Sequence, residues 1–188
     1  MLFRGQKVIL REKKYSDSEN DYMWRRDPEL IVLDAAPRLK LSRREYIAYS
    51  NEEIRNPSRR RRRFAIDSLD GTHIGNCMYY DIDEINKQAE LGILIGDKDY
   101  WGKGYGEDAV NTLVLHIFNT SQIKRIYLKT LDWNTRAQRC FHKCGFVNCG
   151  EVSKDSNNFI VMEIYRSWIT KREIDNLSQE STSVESVT

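Results

Sequence analysis

Apolar positions along the chain fall into short runs parted by polar turns, with longer stretches of helical period between them. Val8 to Leu10 is a short apolar run followed by Arg11-Glu12-Lys13-Lys14, and it reads as a first strand. Ser16 or Asp17 can cap a helix through Arg26, with Pro28 as its stop. Ser42 with Glu45 three residues on forms a capping-box pair, so a second helix is expected through Tyr46, Ile47 and Ile54, closed by Asn56-Pro57. Phe64-Ala65-Ile66 and Ile74 to Tyr80 flank the turn signal Asp70-Gly71 and predict a hairpin. Ala89 to Ile95 is apolar enough for a central strand. Ala109, Val110, Leu113, Val114, Ile117 and Phe118 recur at three- and four-residue spacing, which gives a helix one buried face. Arg125 to Leu131 is the next strand. Asn134 then caps a helix that carries Ala137, Cys140, Phe141 and Cys144 on one face and ends at Gly145. Phe146 to Val152 and Phe159 to Tyr165 read as the last two strands.

Length and charge narrow the picture. The 188 residues suit one domain, expected over 1–171, with a Ser/Thr/Glu-rich tail over 172–188 that has no period and is expected to be mobile. The tail holds one Arg against Glu173, Asp175, Glu180 and Glu185, a net −3, so the body carries +5 of the overall +2. With 30 Lys+Arg against 28 Asp+Glu, binding of nucleic acid through bulk charge is excluded, and such a partner is disfavoured. No run of about 20 apolar residues is present to cross a membrane, and the first residues lack an apolar run of signal-peptide length. The four cysteines are expected as reduced thiols, and the location as cytoplasmic.

The informative segment is Tyr100-Trp101-Gly102-Lys103-Gly104-Tyr105-Gly106, between a strand and a helix. Residues without side chains let backbone N–H groups approach an anion, and the helix N-terminus adds partial positive charge. A Walker loop needs Ser or Thr after Gly-Lys, but Gly104 follows Lys103. A dinucleotide fingerprint needs its third glycine two residues beyond Gly106. A plain tight turn does not need three alternating glycines, each of which costs chain entropy.

The stretch from Glu90 to Ala109 resembles the acyl-CoA-binding signature of the GNAT superfamily of N-acetyltransferases, Gln/Arg-x-x-Gly-x-Gly/Ala, with Gly104 and Gly106 at its last two positions and Trp101 in place of Gln or Arg. The Trp-Gly-Lys-Gly-Tyr form resembles the branch of ribosomal-protein, spermidine and amino-sugar acetyltransferases. A second segment, Asn134-x-x-Ala137-x-x-x-Phe141-x-Lys143-x-Gly145-Phe146, is similar to the family pattern Asn-x-x-Ala/Ser-x-x-x-Tyr-x-Lys-x-Gly-Phe. Over residues 4–169 the resemblance implies an α/β fold: a mixed, seven-stranded sheet splayed at its centre and flanked by helices. Acetyl-CoA would be the cosubstrate, with no metal, and the acceptor a primary amine of a small molecule or a peptide N-terminus. A homodimer is common in this family.

The implied reaction moves an acetyl group from a thioester to an amine by direct attack. An alkyl ammonium has a pKa near ~10.4, so the site must remove a proton, stabilise an oxyanion and release a thiolate. By resemblance, the backbone of Ile93, Leu94 and Ile95 holds the pantetheine arm. The amides of Trp101, Gly102, Lys103, Gly104, Tyr105 and Gly106 hold the pyrophosphate, and Phe141 and Lys143 complete the cofactor side. Asn134 is a helix N-cap that, by resemblance, also contacts the pantetheine or a water. Glu90 is the candidate base; its alternative is a solvated glutamate at the strand edge. Phe141 stands where many relatives place a tyrosine that protonates the leaving thiolate. Tyr79, Tyr80 or water would then supply the proton, although a thiolate with a pKa near ~8.5 can depart unaided. A non-catalytic acyl-CoA sensor is one alternative function, and a nucleic-acid or ribosome binder acting through a basic patch is another.

Two further features allow two readings each. Arg59 to Arg63 would attract an anionic or RNA partner, or would be a solvated loop and strand edge with alternate arginines outward. A polyamine acceptor would need Asp81, Asp83 and Glu84 at the mouth to offset that charge. Cys140, His142 and Cys144 invite a metal, but no second Cys/His pair completes a site and Cys149 stands alone, so buried thiols are expected. By resemblance, Trp24, Asp34 and the segment to Arg38 shape the acceptor pocket.

Overall fold

The computed structural model of the chain describes residues 2–169; the tail expected over 172–188 lies outside them. A single eight-stranded mixed sheet runs in the order β1 (Leu2–Arg4), β2 (Val8–Glu12), β3 (Arg61–Ser68), β4 (His73–Asp83), β5 (Gln88–Ile95), β6 (Arg125–Leu131), β8 (Asn157–Tyr165), β7 (Val147–Lys154). All neighbours are antiparallel except β5 and β6. The helices are α1 (Ser18–Trp24), α2 (Pro28–Leu33), α3 (Arg43–Arg55), α4 (Tyr105–Thr120) and α5 (Thr135–Lys143). None of them is long and apolar enough to cross a membrane.

The eighth strand, where seven are expected, is β1. Its three residues are too few to show a period, and tertiary contacts define it: Phe3 stacks on His116 at 3.7 Å and meets Phe64 edge-on at 5.7 Å. The other correction concerns Pro28, which opens α2 instead of only stopping a helix. Proline suits a first helical turn because its missing N–H would be unpaired there, and the Asp27 carboxylate accepts from the N–H groups of Glu29 and Leu30. The helix expected from Ser16 or Asp17 to Arg26 is correspondingly shorter, a 3-10 turn leading into α1. Ser42 and Glu45 form the capping box as expected.

One face of the sheet packs on α4, whose Ala109, Val110, Leu113, Val114, Ile117 and Phe118 are all buried in the core with Val8, Leu10, Ile66, Leu91, Ile126 and Leu128. Burying each large aliphatic side chain contributes about 1.5–3 kcal/mol. The opposite face carries charge beneath α1 and α3. Arg11 pairs with Asp17 at 2.8 Å and Asp67 at 2.6 Å, and Lys13 pairs with Asp21 at 2.8 Å. Glu53 of α3 takes both Arg61 and Arg63 of β3. β3 is an interior strand, so this arginine run is not a strand edge; its alternate members are paired to a helix while Arg59, Arg60 and Arg62 stay exposed.

His116 sits in the apolar layer, 8% exposed, and burial holds its pKa down at about 4 against an ordinary 6.5. The unfolded chain therefore takes up a proton as pH falls through 6.5 while the folded chain does not until about 4. The resulting stability is complete above 6.5 and is lost between 6.5 and 4, by up to about 3 kcal/mol. Urea unfolding midpoints between pH 7 and 4 should fall more steeply for the natural chain than for His116→Leu; parallel slopes would contradict the assignment.

Candidate active site

β5 is where the sheet opens. On one side it pairs with β4 along its length, as far as Gly75 with Ile95. On the other it pairs with β6 only at Gln88, Ala89 and Glu90. Beyond Glu90 no strand borders β5 on that side, while β6 continues to Leu131 on β8. The two strands therefore diverge, and the facing backbone of residues 91–95 is left for a ligand. A cavity of about 350 Å³ lies at this gap. It is lined by Ile93, Leu94 and Ile95, by Trp101, Gly102, Gly104 and Gly106, and by Asn134, Phe141 and Lys143 of the expected set.

The glycine loop is built as a cradle. Gly102 and Gly104 have φ of +70° and +86°, where a side chain is strained, and Gly104 is the N-cap of α4. Trp101 replaces the usual Gln or Arg and latches the loop: its Nε1 donates to the Ile95 carbonyl at 2.7 Å, and the Arg136 guanidinium lies 3.8 Å from the ring centroid. Behind the loop, Asp108 accepts from the N–H groups of Gln6, Lys7 and Val8, and Lys7 Nζ donates to the Lys103 carbonyl at 2.8 Å. Lys103 and Tyr105 are absent from the cavity lining, and Tyr105 packs edge-on against Tyr100 at 4.8 Å. Arg136, Arg139 and Lys143 of α5 border the same cavity and give it a cationic rim suited to phosphates. Asn134, 9% exposed, caps α5 by accepting from Ala137 N–H at 3.2 Å and also faces the cavity. Both roles expected for it are compatible with that placement.

Glu90 lies at the branch point of the two strands and, unlike Ile93 to Ile95, is not among the residues that line the cavity. It is 5% exposed, so it is not a solvated edge residue. Tyr80 donates its hydroxyl to Oε1 at 2.8 Å, and Lys129 Nζ meets Oε2 at 2.7 Å. Tyr127 lies under that ammonium, 5.5 Å from its ring centroid. Burial and the Glu90 carboxylate keep the Tyr80 phenol protonated, well above its ordinary pKa. Tyr79 points to the other face, stacked on Phe64 in the core; Tyr80 stays beside Glu90, while the tyrosine that lines the cavity is Tyr100. Phe141 is 8% exposed, borders the cavity and packs on Phe146 at 6.1 Å.

At the cavity's other wall stand Leu30, Leu33 and Asp34, from α2 and its C-cap. Burial raises the Asp34 carboxyl pKa, opposed by the charge of Arg25. Trp24, by contrast, packs flush on Gly96, where a Cβ would run into its ring. Asp83 is spent on its own turn, accepting from Ile85 and Asn86. Cys144 is buried as expected, whereas Cys140 opens to the cavity. His142 turns away, with Nδ1 3.1 Å from the Phe146 carbonyl. Among the described residues no group of three or more His, Cys, Asp or Glu is placed to hold a metal. Sequence alone did not single out Lys129, Tyr127, Arg136 or Arg139. The first two become neighbours of Glu90 only through strand pairing, and the arginines carry no local signal beyond charge.

The family model of the acetyltransferase (GNAT) domain matches residues 7–147. A probable spermine N(1)-acetyltransferase of Bacillus subtilis subsp. natto is 32% identical over 100 residues, covering 50% of this chain and 66% of that protein. The chain thus spans just under two thirds of that relative's length. An uncharacterized N-acetyltransferase of Bacillus licheniformis is 25% identical over 89% of this chain and 95% of its own. A crystal structure of spermidine N-acetyltransferase from Vibrio cholerae, in complex with CoA and spermine, superposes with a TM-score of 0.75 at 22% identity, covering 85% of this chain and 96% of that one. With a family match over most of the described residues and the same fold in solved structures, the chain belongs to the GNAT acetyltransferase family.

Proposed function

We propose that the chain transfers the acetyl group of acetyl-CoA to a primary amine of a small molecule. The observation that carries this is the parting of β5 from β6 after Glu90, beside a glycine loop that opens α4. The residues present fit acetyl-CoA. Backbone of residues 93–95 borders the gap, Gly102, Gly104 and Gly106 line it without side chains, and Arg136, Arg139 and Lys143 offer positive charge. The backbone N–H of Trp101 is not available to a ligand, since it donates to the Lys98 carbonyl. Acetyl-CoA supplies an activated thioester; the chain's residues position it and handle the protons.

Glu90 is the base of this reading. It takes a proton from the acceptor ammonium, directly or through water, so that the nitrogen lone pair can attack the thioester carbonyl. The C–S bond breaks and the CoA thiolate leaves. A backbone N–H of the open β5 edge stabilises the oxyanion, which exists only along the reaction path. Asn134 orients the pantetheine or a water. The acceptor lies against Leu30, Leu33, Leu94 and Asp34, a mainly apolar wall with one carboxylate. Such a wall suits an amine with an aliphatic body and a second positive charge. The names of the relatives, which refer to spermine and spermidine, make polyamines the first acceptors to test. The four free thiols support a reducing compartment, the cytoplasm, for this reading. A second reading, an acyl-CoA sensor without turnover, rests on Phe141 alone.

Thermal unfolding with acetyl-CoA, beside ATP and NAD controls, tests the cavity. At 100 times its dissociation constant acetyl-CoA stabilises by ~2.7 kcal/mol, a shift of roughly 5–10 °C for a domain of this size. No shift at millimolar acetyl-CoA would overturn both readings. In steady-state CoA release with an amine panel, Glu90→Gln should lower kcat by about 10²–10⁴-fold. Its KM for acetyl-CoA should change by no more than about twofold, because the pantetheine and phosphate contacts lie elsewhere. Phe141→Tyr should leave kcat within about threefold, since CoA thiolate is a competent leaving group. A gain near 100-fold would instead show that the departing sulfur lacks a donor.

A further inference from the structure

Cys140 on α5 and Cys144 at its C-cap stand one turn apart, and neither takes part in the transfer just described. Cys144 is buried, with its thiol directed to the Glu107 carbonyl at 3.6 Å. Cys140 is half-buried and lines the cavity. Its Sγ lies 3.8 Å from where a Cβ on Gly106 would stand, against the first turn of α4. The 16-residue α4 presents its partly positive end there. Three features thus meet at one sulfur: access from the cavity, a second thiol one turn on, and a helix N-terminus.

The remaining thiols differ. Cys77 is fully buried, and burial pushes its pKa up. Cys149 is exposed but raised by partial burial and by Glu163, and it lies on β7 away from the cavity. The neighbouring Cys144 thiol lowers the Cys140 pKa from the ordinary thiol range; burial and Glu107 oppose this and Lys143 assists it. The Cys140 sulfur and burial push the Cys144 pKa up, so Cys144 stays protonated. Since the thiolate is the nucleophile, reactivity concentrates at the one sulfur that opens to the site.

We propose that Cys140 is a thiol-modification site that closes the acyl-CoA cavity when a low-molecular-mass disulfide reacts with it. The Cys140 thiolate attacks one sulfur of the disulfide. A new S–S bond forms to that half, the original S–S bond breaks, and the other half leaves as a thiolate that takes up a proton. Cys140 is oxidised and the departing half is reduced, so atoms and electrons balance. The group left on Cys140 projects into the space between the glycine loop and α5. Excess small thiol reverses the exchange. The proposal rests on the acyl-CoA reading of this cavity: bound acetyl-CoA covers the sulfur, and the modified sulfur excludes acetyl-CoA.

The test uses the full chain carrying Cys149→Ser, so that the exposed thiol on β7 does not react. Native protein is treated with oxidised glutathione or 5,5′-dithiobis(2-nitrobenzoate), with and without saturating acetyl-CoA, and mapped by peptide mass. One adduct is expected, on Cys140, formed at least tenfold more slowly with acetyl-CoA present. The treated protein should lose its thermal shift with acetyl-CoA and regain it after dithiothreitol. Cys140→Ser should show the same shift, whatever its size, before and after treatment. An adduct on Cys144, no adduct, or an adduct that leaves the shift intact would overturn the proposal. An untreated protein without any shift would instead sink the cavity reading, while the mass map still decides whether Cys140 is the reactive thiol.

Discussion

The pairing of β5 with β6 lasts three residues and stops at Glu90, and the arrangement of the site follows from that early stop. A sheet that closed normally would use the N–H and C=O groups of residues 91–95 on a neighbouring strand, leaving no slot and no polar edge. Here β4 holds one side of β5 to its end and β8 holds β6 to its end. The gap is therefore rigid although unpaired. The carboxylate at position 90 is buried where the strands part, just outside the lining of the cavity itself. Tyr80 and Lys129 compensate a charge that would otherwise be costly to bury.

The glycine loop depends on contacts made behind it. Trp101 ties the loop to the end of β5, and Asp108 ties the first turn of α4 to the turn between β1 and β2. Gly5 belongs to the same joint, since a Cβ there would strike the Asp108 carboxylate. These ties brace the left-handed glycines from outside the loop, so its shape does not depend on a ligand.

Much of this was legible in the residues. Ser42 with Glu45, Asp70-Gly71, the apolar stripe of α4 and the Asn134 cap each encode a local geometry that needs no partner, and each stands where the pattern puts it. The glycine loop and the segment from Asn134 to Phe146 are legible in the same way, and both contribute residues to the cavity lining. What escaped is what tertiary structure decides. β1 is three residues held by a stack on His116. α2 follows a proline that can end one helix and begin another. Lys129 and Tyr127 meet Glu90 only because β6 runs parallel to β5. Cys140 and Cys144 share a helix face, yet one opens to a cavity and the other does not, a distinction the period of a helix cannot make.

The joint between Asp108 and the turn at Gln6 to Val8 spans about a hundred residues of chain. Contacts of that separation carry a large loop-closure cost and form late, with the global fold, rather than with local helix formation. α4 can become helical early on its own propensity, but the loop before it acquires its final shape only when the start of the chain returns to brace it. During synthesis those first residues are made early and must wait for α4 to emerge. Competence to hold the ligand is thus coupled to completion of the sheet, and a partly folded chain would present the glycine motif without its geometry.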